Sequence, residues 1–171
     1  TLLEALSSSS LTSKLGSQIC LNSCLLSPVV RTEIEEFIDS FYTSLTSLSP
    51  LPESPSYDDL CRSNKANDSN VARAIFVVNL QLALGYEHDE VRQRVNMLMD
   101  LLLERASQPG EESVCLHLTE ILYHILTAKN SILIDQSMIS RLKRLDFDWA
   151  KSAESAPSKT VFRVMDILDT C

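Results

Sequence analysis

His117, Glu120 and His124 are the side chains of this chain whose types and spacing come nearest to metal chemistry. Standing at i, i+3 and i+7, they would share one face of a helix, where two imidazoles and a carboxylate make a zinc-type ligand set. A zincin helix, however, needs histidines four apart with Glu beside the first. A carboxylate-bridged di-iron bundle needs Glu-x-x-His, and here Tyr123 stands three residues after Glu120. The polar side of an amphipathic helix accounts for all three residues without a ligand. Neither a metal nor any other cofactor is expected, and a metal-dependent enzyme built on the His117, Glu120 and His124 face stands only as an alternative.

Cysteine offers a second set of donors. Cys20 and Cys24 are four apart and could join Cys61 around a metal, but no paired C-x-x-C flanks them. With Cys115 and Cys171 the total is five, an odd number in a chain without a secretory signal, which predicts reduced thiols packed as small apolar residues. No G-x-S-x-G elbow, Walker loop or dinucleotide glycine fingerprint occurs, so the chain is expected not to be an enzyme.

Binding candidates are more numerous. Arg141, Lys143 and Arg144 form a dense basic cluster close to Phe147 and Trp149, chemistry that suits an acidic peptide or phosphate. The same cations also suit a solvated helix C-terminus. Leu98-Met99-Asp100-Leu101-Leu102 satisfies LxxLL, although its leucines are also the expected core of their own helix. Ser27, Ser49 and Ser54 each precede proline and are candidates for proline-directed phosphorylation, which would add negative charge. Asn67-Asp68-Ser69 matches a glycosylation acceptor, but a helix cap at Asp68 or Ser69 explains it without export.

Composition limits the partners. The 171 residues carry 15 Lys and Arg against 23 Asp and Glu, a net charge of −8 that repels phosphate backbones, so no direct nucleic-acid binding is expected. No apolar run reaches the roughly 18 residues that span a bilayer, and the first residues lack a charged then apolar leader. No membrane association is expected, and the cytoplasm or nucleus is the expected location. The chain begins without Met and its last helix runs uncapped to Cys171, so a segment of a larger protein is expected.

The elements that would position these residues are helices. Gly is scarce, with 3 in the chain, alternating apolar and polar stretches are nearly absent, and 44% apolar residues suffice for a core. An all-α fold of about seven helices packed as antiparallel α-hairpins follows. Thr1 to Ser10 receives no role. Leu11, Leu15, Ile19 and Leu26 mark a first helix that Pro28 ends, with Gly16 weakening it. Val30, Ile34, Phe37, Ile38, Phe41, Leu45 and Leu48 mark the second, with capping-box spacing at Thr32 and Glu35 and a hint of an earlier start at Val29. Residues 49–69, rich in Pro, Ser, Asn and Asp, read as a flexible linker between this N-terminal pair, 1–48, and stacked hairpins over 70–171, all within one domain. Val71 to Leu84 is apolar on nearly every face and belongs in the middle, with Gly85 as its stop. Further stripes start at Val91 (with Glu90 and Arg94 able to pair), at Val114, at Met138 behind an Asp135 cap, and at Val161, where Val164, Met165 and Leu168 continue.

Every second onset in that series recurs, from Val71 to Val114 after 43 residues and from Val114 to Val161 after 47. In this period, its helix lengths and its short polar breaks, the stretch Val71 to Cys171 resembles HEAT or armadillo-type α-α repeats, whose two-helix units are roughly 40–47 residues long. The resemblance carries architecture and no functional residue. It implies a non-catalytic scaffold or adaptor that binds protein partners, as a subunit or segment of a larger intracellular complex. A compact helical bundle around the Val71–Leu84 helix, acting as a regulatory module, is the alternative. For the stacked scaffold, the Arg141 to Trp149 region is the expected contact.

Overall fold

The computed structural model describes residues 2–8, 13–127, 133–151 and 158–170, and among them there are eight α-helices and no strand. They are α1 (Leu2–Ser7), α2 (Ser13–Leu26), α3 (Pro28–Thr46), α4 (Tyr57–Ala83), α5 (His88–Ala106), α6 (Glu112–Thr127), α7 (Gln136–Lys151) and α8 (Ser158–Asp169). The helix beyond the seven expected is α1, formed by the Leu2, Leu3 and Leu6 stretch that was assigned no role. Among the described residues no helix is long and apolar enough to cross a membrane.

The segment 49–69 is not a linker throughout, because α4 begins at Tyr57. Ser56 caps it: the Asp59 N–H donates to the Ser56 hydroxyl at 3.1 Å, and the Ser56 N–H donates back to the Asp59 carboxylate at 3.1 Å. Two orphan donors of the first turn are thus satisfied reciprocally, and helix becomes cheap to start despite the polar composition that follows. Asp68 and Ser69 consequently lie inside α4 and cap nothing. The remaining connection, 47–56, is pinned at one point, where the Leu51 N–H donates to the Ser113 hydroxyl at 2.9 Å. At the other end, Gly85 at φ 81° lets the Tyr86 N–H reach the Gln81 carbonyl at 3.0 Å and its own N–H reach that of Leu82 at 3.2 Å, a Schellman stop. For α3, Pro28 in the first turn and Ser27 at the N-cap position set the start, so Thr32 and Glu35 fall inside the helix and form no capping box. Asp135 does cap α7, accepting from the Met138 N–H at 2.7 Å.

One contiguous core runs through the molecule. Ala72, Ala74, Phe76, Val77, Val78 and Leu80 of α4 are buried, and this half-helix touches α1, α2, α3, α5 and α6. The neighbours form two rows. Helices α2, α4, α6 and α8 contact one another in succession, α5 contacts α7 across the second row, and each row is laced to the other by α2–α3, α3–α4, α4–α5, α5–α6 and α7–α8. Val71, Val114 and Val161 therefore sit on three successive members of one row. In α8 the buried face is Thr160, Val164 and Ile167, while Met165 is exposed.

The buried face of α2 is not the predicted one. Leu15 and Ile19 are exposed, at 65% and 39%, and Gly16, Ser17 and Cys20 face inward instead. Small side chains let α2 approach α4 closely: a Cβ on Gly16 would stand 2.9 Å from the Phe76 ring and 3.3 Å from Leu6. Leu11 lies outside the described residues. Gly16→Ala is expected to lower stability by about 1 kcal/mol, because overpacking at roughly 1–3 kcal/mol outweighs the roughly 1 kcal/mol of helix propensity gained. Urea denaturation measures this, and a variant as stable as the parent would show that the approach is not tight.

Candidate binding groove

On the histidine-bearing face of α6, His117 is half-buried and Glu120 is ringed by cations. Glu120 is 5% exposed on α6, and its carboxylate accepts from Arg163 Nε at 3.1 and 3.2 Å, with Lys159 Nζ at 3.3 Å and His124 Nε2 at 3.8 Å. The Arg163 guanidinium also lies 4.3 Å over the Tyr123 ring and bonds Asp166 at 3.2 Å. A buried carboxylate needs such cations, and here they come from α8, so the cluster ties α6 to α8. Among the described residues no three His, Cys, Asp or Glu side chains converge as a metal site. Cys20 and Cys115 are buried and Cys61 is exposed; burial pushes the Cys115 thiol up to about 11. The Cys24 side chain and Cys171 lie outside the described residues.

The basic cluster is divided. Arg141 donates to the Asn96 side chain at 3.2 Å and pairs with Asp100, both on α5, so it is committed to holding α7 against α5. Lys143 and Arg144 are exposed, and the side chains of Phe147 and Trp149 lie outside the described residues. Likewise Arg94 pairs with Asp39 of α3 at 2.6 Å, and not with Glu90, and it covers the Tyr42 ring at 5.3 Å. Leu98 and Leu102 of the LxxLL pattern are buried in the core. Ser49 and Ser54 are exposed in the 47–56 connection, and Ser27 is half-buried at the start of α3.

What sequence reasoning missed is a cavity of about 610 Å³ between α1, α2 and α3. Its floor is apolar, made by Leu3, Ile19, Val30, Ile34 and Phe37, and its rim carries Glu4, Glu33 and Glu36. The Phe37 ring meets Phe76 edge-on at a centroid distance of 6.1 Å, which seats the floor on α4. The groove exists because α2 turns its small residues inward: Ile19 stays partly exposed in the cavity lining, and Leu15, one turn before it, faces solvent. The volume falls within the roughly 300–1,000 Å³ of ordinary binding pockets. A second hollow of about 420 Å³ beside Tyr42, Tyr86 and Arg94 is lined largely by polar groups, and Arg94 is already paired there. The signal that could have found the first groove was the competing small-residue face of Gly16, Ser17 and Cys20, set against a leucine–isoleucine stripe on the same helix.

Burial lowers the pKa of His117 and of His124, in the latter against the attraction of Glu120. The unfolded chain, with histidines near the usual 6.5 or so, then binds more protons than the folded one as pH falls through that value, and stability declines. Urea midpoints at neutral and mildly acidic pH should show this loss, and His117→Gln with His124→Gln should flatten it. An unchanged slope in the double variant would refute the assignment. No family model, curated protein or solved structure matches the chain, so the reading of the groove rests on its own geometry and chemistry.

Proposed function

We propose that the chain is a non-catalytic protein-binding scaffold, a HEAT- or armadillo-type stack that offers the α1–α2–α3 groove to a segment of a protein partner within a larger intracellular complex. The observation that carries this reading is an apolar cavity whose lining includes the exposed Ile19, one turn from the exposed Leu15, in a molecule whose central helix is largely enclosed. Contiguous apolar surface of this kind, rimmed by polar groups, marks interaction sites. The two rows of helices support the repeat part of the proposal, since stacked two-helix units bring each helix against the one two places on. The enclosure of α4 by five neighbours equally suits a compact regulatory bundle, and the groove serves that version as well. Arg141 is occupied by Asp100 and Asn96, which moves the favoured contact from the Arg141–Trp149 region to the groove. Arg163 and Lys159, held by the Glu120 carboxylate, weigh against the metal-enzyme alternative.

Affinity purification from the native cell tests the surface. Ile19→Asp should reduce recovery of the principal partner severalfold, whereas Met97→Asp, an exposed position on α5, and Lys143→Glu with Arg144→Glu should not. Equal recovery by all variants, each shown to be folded by its thermal melt, would overturn the choice of the groove.

A further inference from the structure

We infer that the occupant of the α1–α2–α3 groove is a basic amphipathic helix, an inference that rests on the groove being the binding surface. Three observations lead to it. The rim holds Glu4, Glu33 and Glu36, and among the described residues that line the cavity none is Lys or Arg, while Arg31 beside it is turned to Glu35 at 3.0 Å. Glu33 and Glu36 make no ion pair among the described residues, although they border a floor that a bound partner would dry. A carboxylate desolvated by a neutral or acidic partner would lose hydration without gaining a cation, so only a basic partner covers this rim without penalty.

The floor selects the shape. No strand exists among the described residues, so no sheet edge is available to pair with an extended peptide. A cleft between helices with apolar side chains at its base is instead filled by the i, i+3 or i+4, i+7 residues of another helix. Leu15, exposed one turn before the lining residue Ile19, adds apolar surface on α2, and a ligand helix of two or more turns, roughly 10 Å or more at 1.5 Å per residue, would cover both. Lys and Arg on the flanks of that ligand helix would meet Glu33 and Glu36 from α3. Such pairing acts mainly on partner choice and on the rate of encounter, and weakens with salt.

Fluorescence anisotropy with two labelled peptides of about 18 residues tests this. Both carry the same amphipathic leucine pattern, one with lysine and the other with glutamate at every polar position. The full chain is expected to bind the lysine peptide at least about tenfold more tightly than the glutamate peptide, with the preference shrinking as salt rises. Glu33→Lys with Glu36→Lys should abolish most of that preference. Glu53→Lys with Glu104→Lys, the same change in net charge at two exposed carboxylates elsewhere, should leave it nearly intact. Equal loss in both double variants would mean that overall charge, and not the groove, attracts the peptide, and the inference would fall. It would also fall if the two peptides bound alike, if neither bound, or if sedimentation showed a dimer that Ile19→Asp dissociates, which would make a second copy the occupant. Should Ile19→Asp still abolish partner capture while the lysine peptide fails to bind, the groove keeps its role and only the chemistry assigned to its occupant is wrong.

Discussion

The second half of α4 has no polar side, and that single constraint organises the molecule. Phe76, Val77, Val78 and Leu80 point in different directions around the helix and are all buried, so neighbours must close on it from most sides, leaving only the face of Ile75, Asn79 and Leu82 half-buried. Fully burying each large side chain of this kind contributes about 1.5–3 kcal/mol, a sum that makes any arrangement leaving one flank open uncompetitive. Gln81 on the same stretch is buried as well: its carbonyl oxygen accepts from the Tyr42 hydroxyl at 3.0 Å, while its Nε2 finds no partner among the described residues. On the α2 side the packing is tight, because Gly16 leaves room for the Phe76 ring where any Cβ would crowd it. The groove is the by-product, since a helix that presents its small residues to the core presents its large ones to water.

Charge has a different task. Arg94 with Asp39 joins α5 to α3, Arg141 with Asp100 joins α7 to α5, and Arg163 with Glu120 joins α8 to α6. In each case the partners lie on helices two places apart in the chain, so the ion pairs fix how successive layers sit on one another while apolar packing supplies the bulk of the stability. The two outer pairs have an exposed carboxylate and contribute little individually. The Glu120 carboxylate is buried, and removing its cations alone would strand it in the core. A motif search sees histidine and carboxylate at suggestive spacing in this region; the structure resolves them into an interlayer tie.

Much of this architecture was legible from residue order alone. The stripes of α3, α5 and α6 were clear because each repeats one buried face between unambiguous breaks, and Gly85 and Asp135 mark ends by mechanisms that act locally. The start of α4 was missed because Ser, Asn and Asp in 57–70 suggest loop by composition, and the outcome was decided by one Ser56–Asp59 cap. The face of α2 was misread for a subtler reason: transfer free energy favours burying Leu15 and Ile19, but close approach to α4 favours Gly16, Ser17 and Cys20, and only the position of Phe76 settles the competition. Arg94 and Arg141 were equally opaque, since their carboxylates stand on other helices, and pairing across helices leaves no periodic trace along the chain.

The ion pairs that join helices two places apart answer unequally to the medium. Salt screens Arg94–Asp39 and Arg141–Asp100, whose carboxylates lie open to solvent, more than Arg163–Glu120, whose carboxylate is shielded. Rising ionic strength therefore loosens the ties among α3, α5 and α7 before the one between α6 and α8.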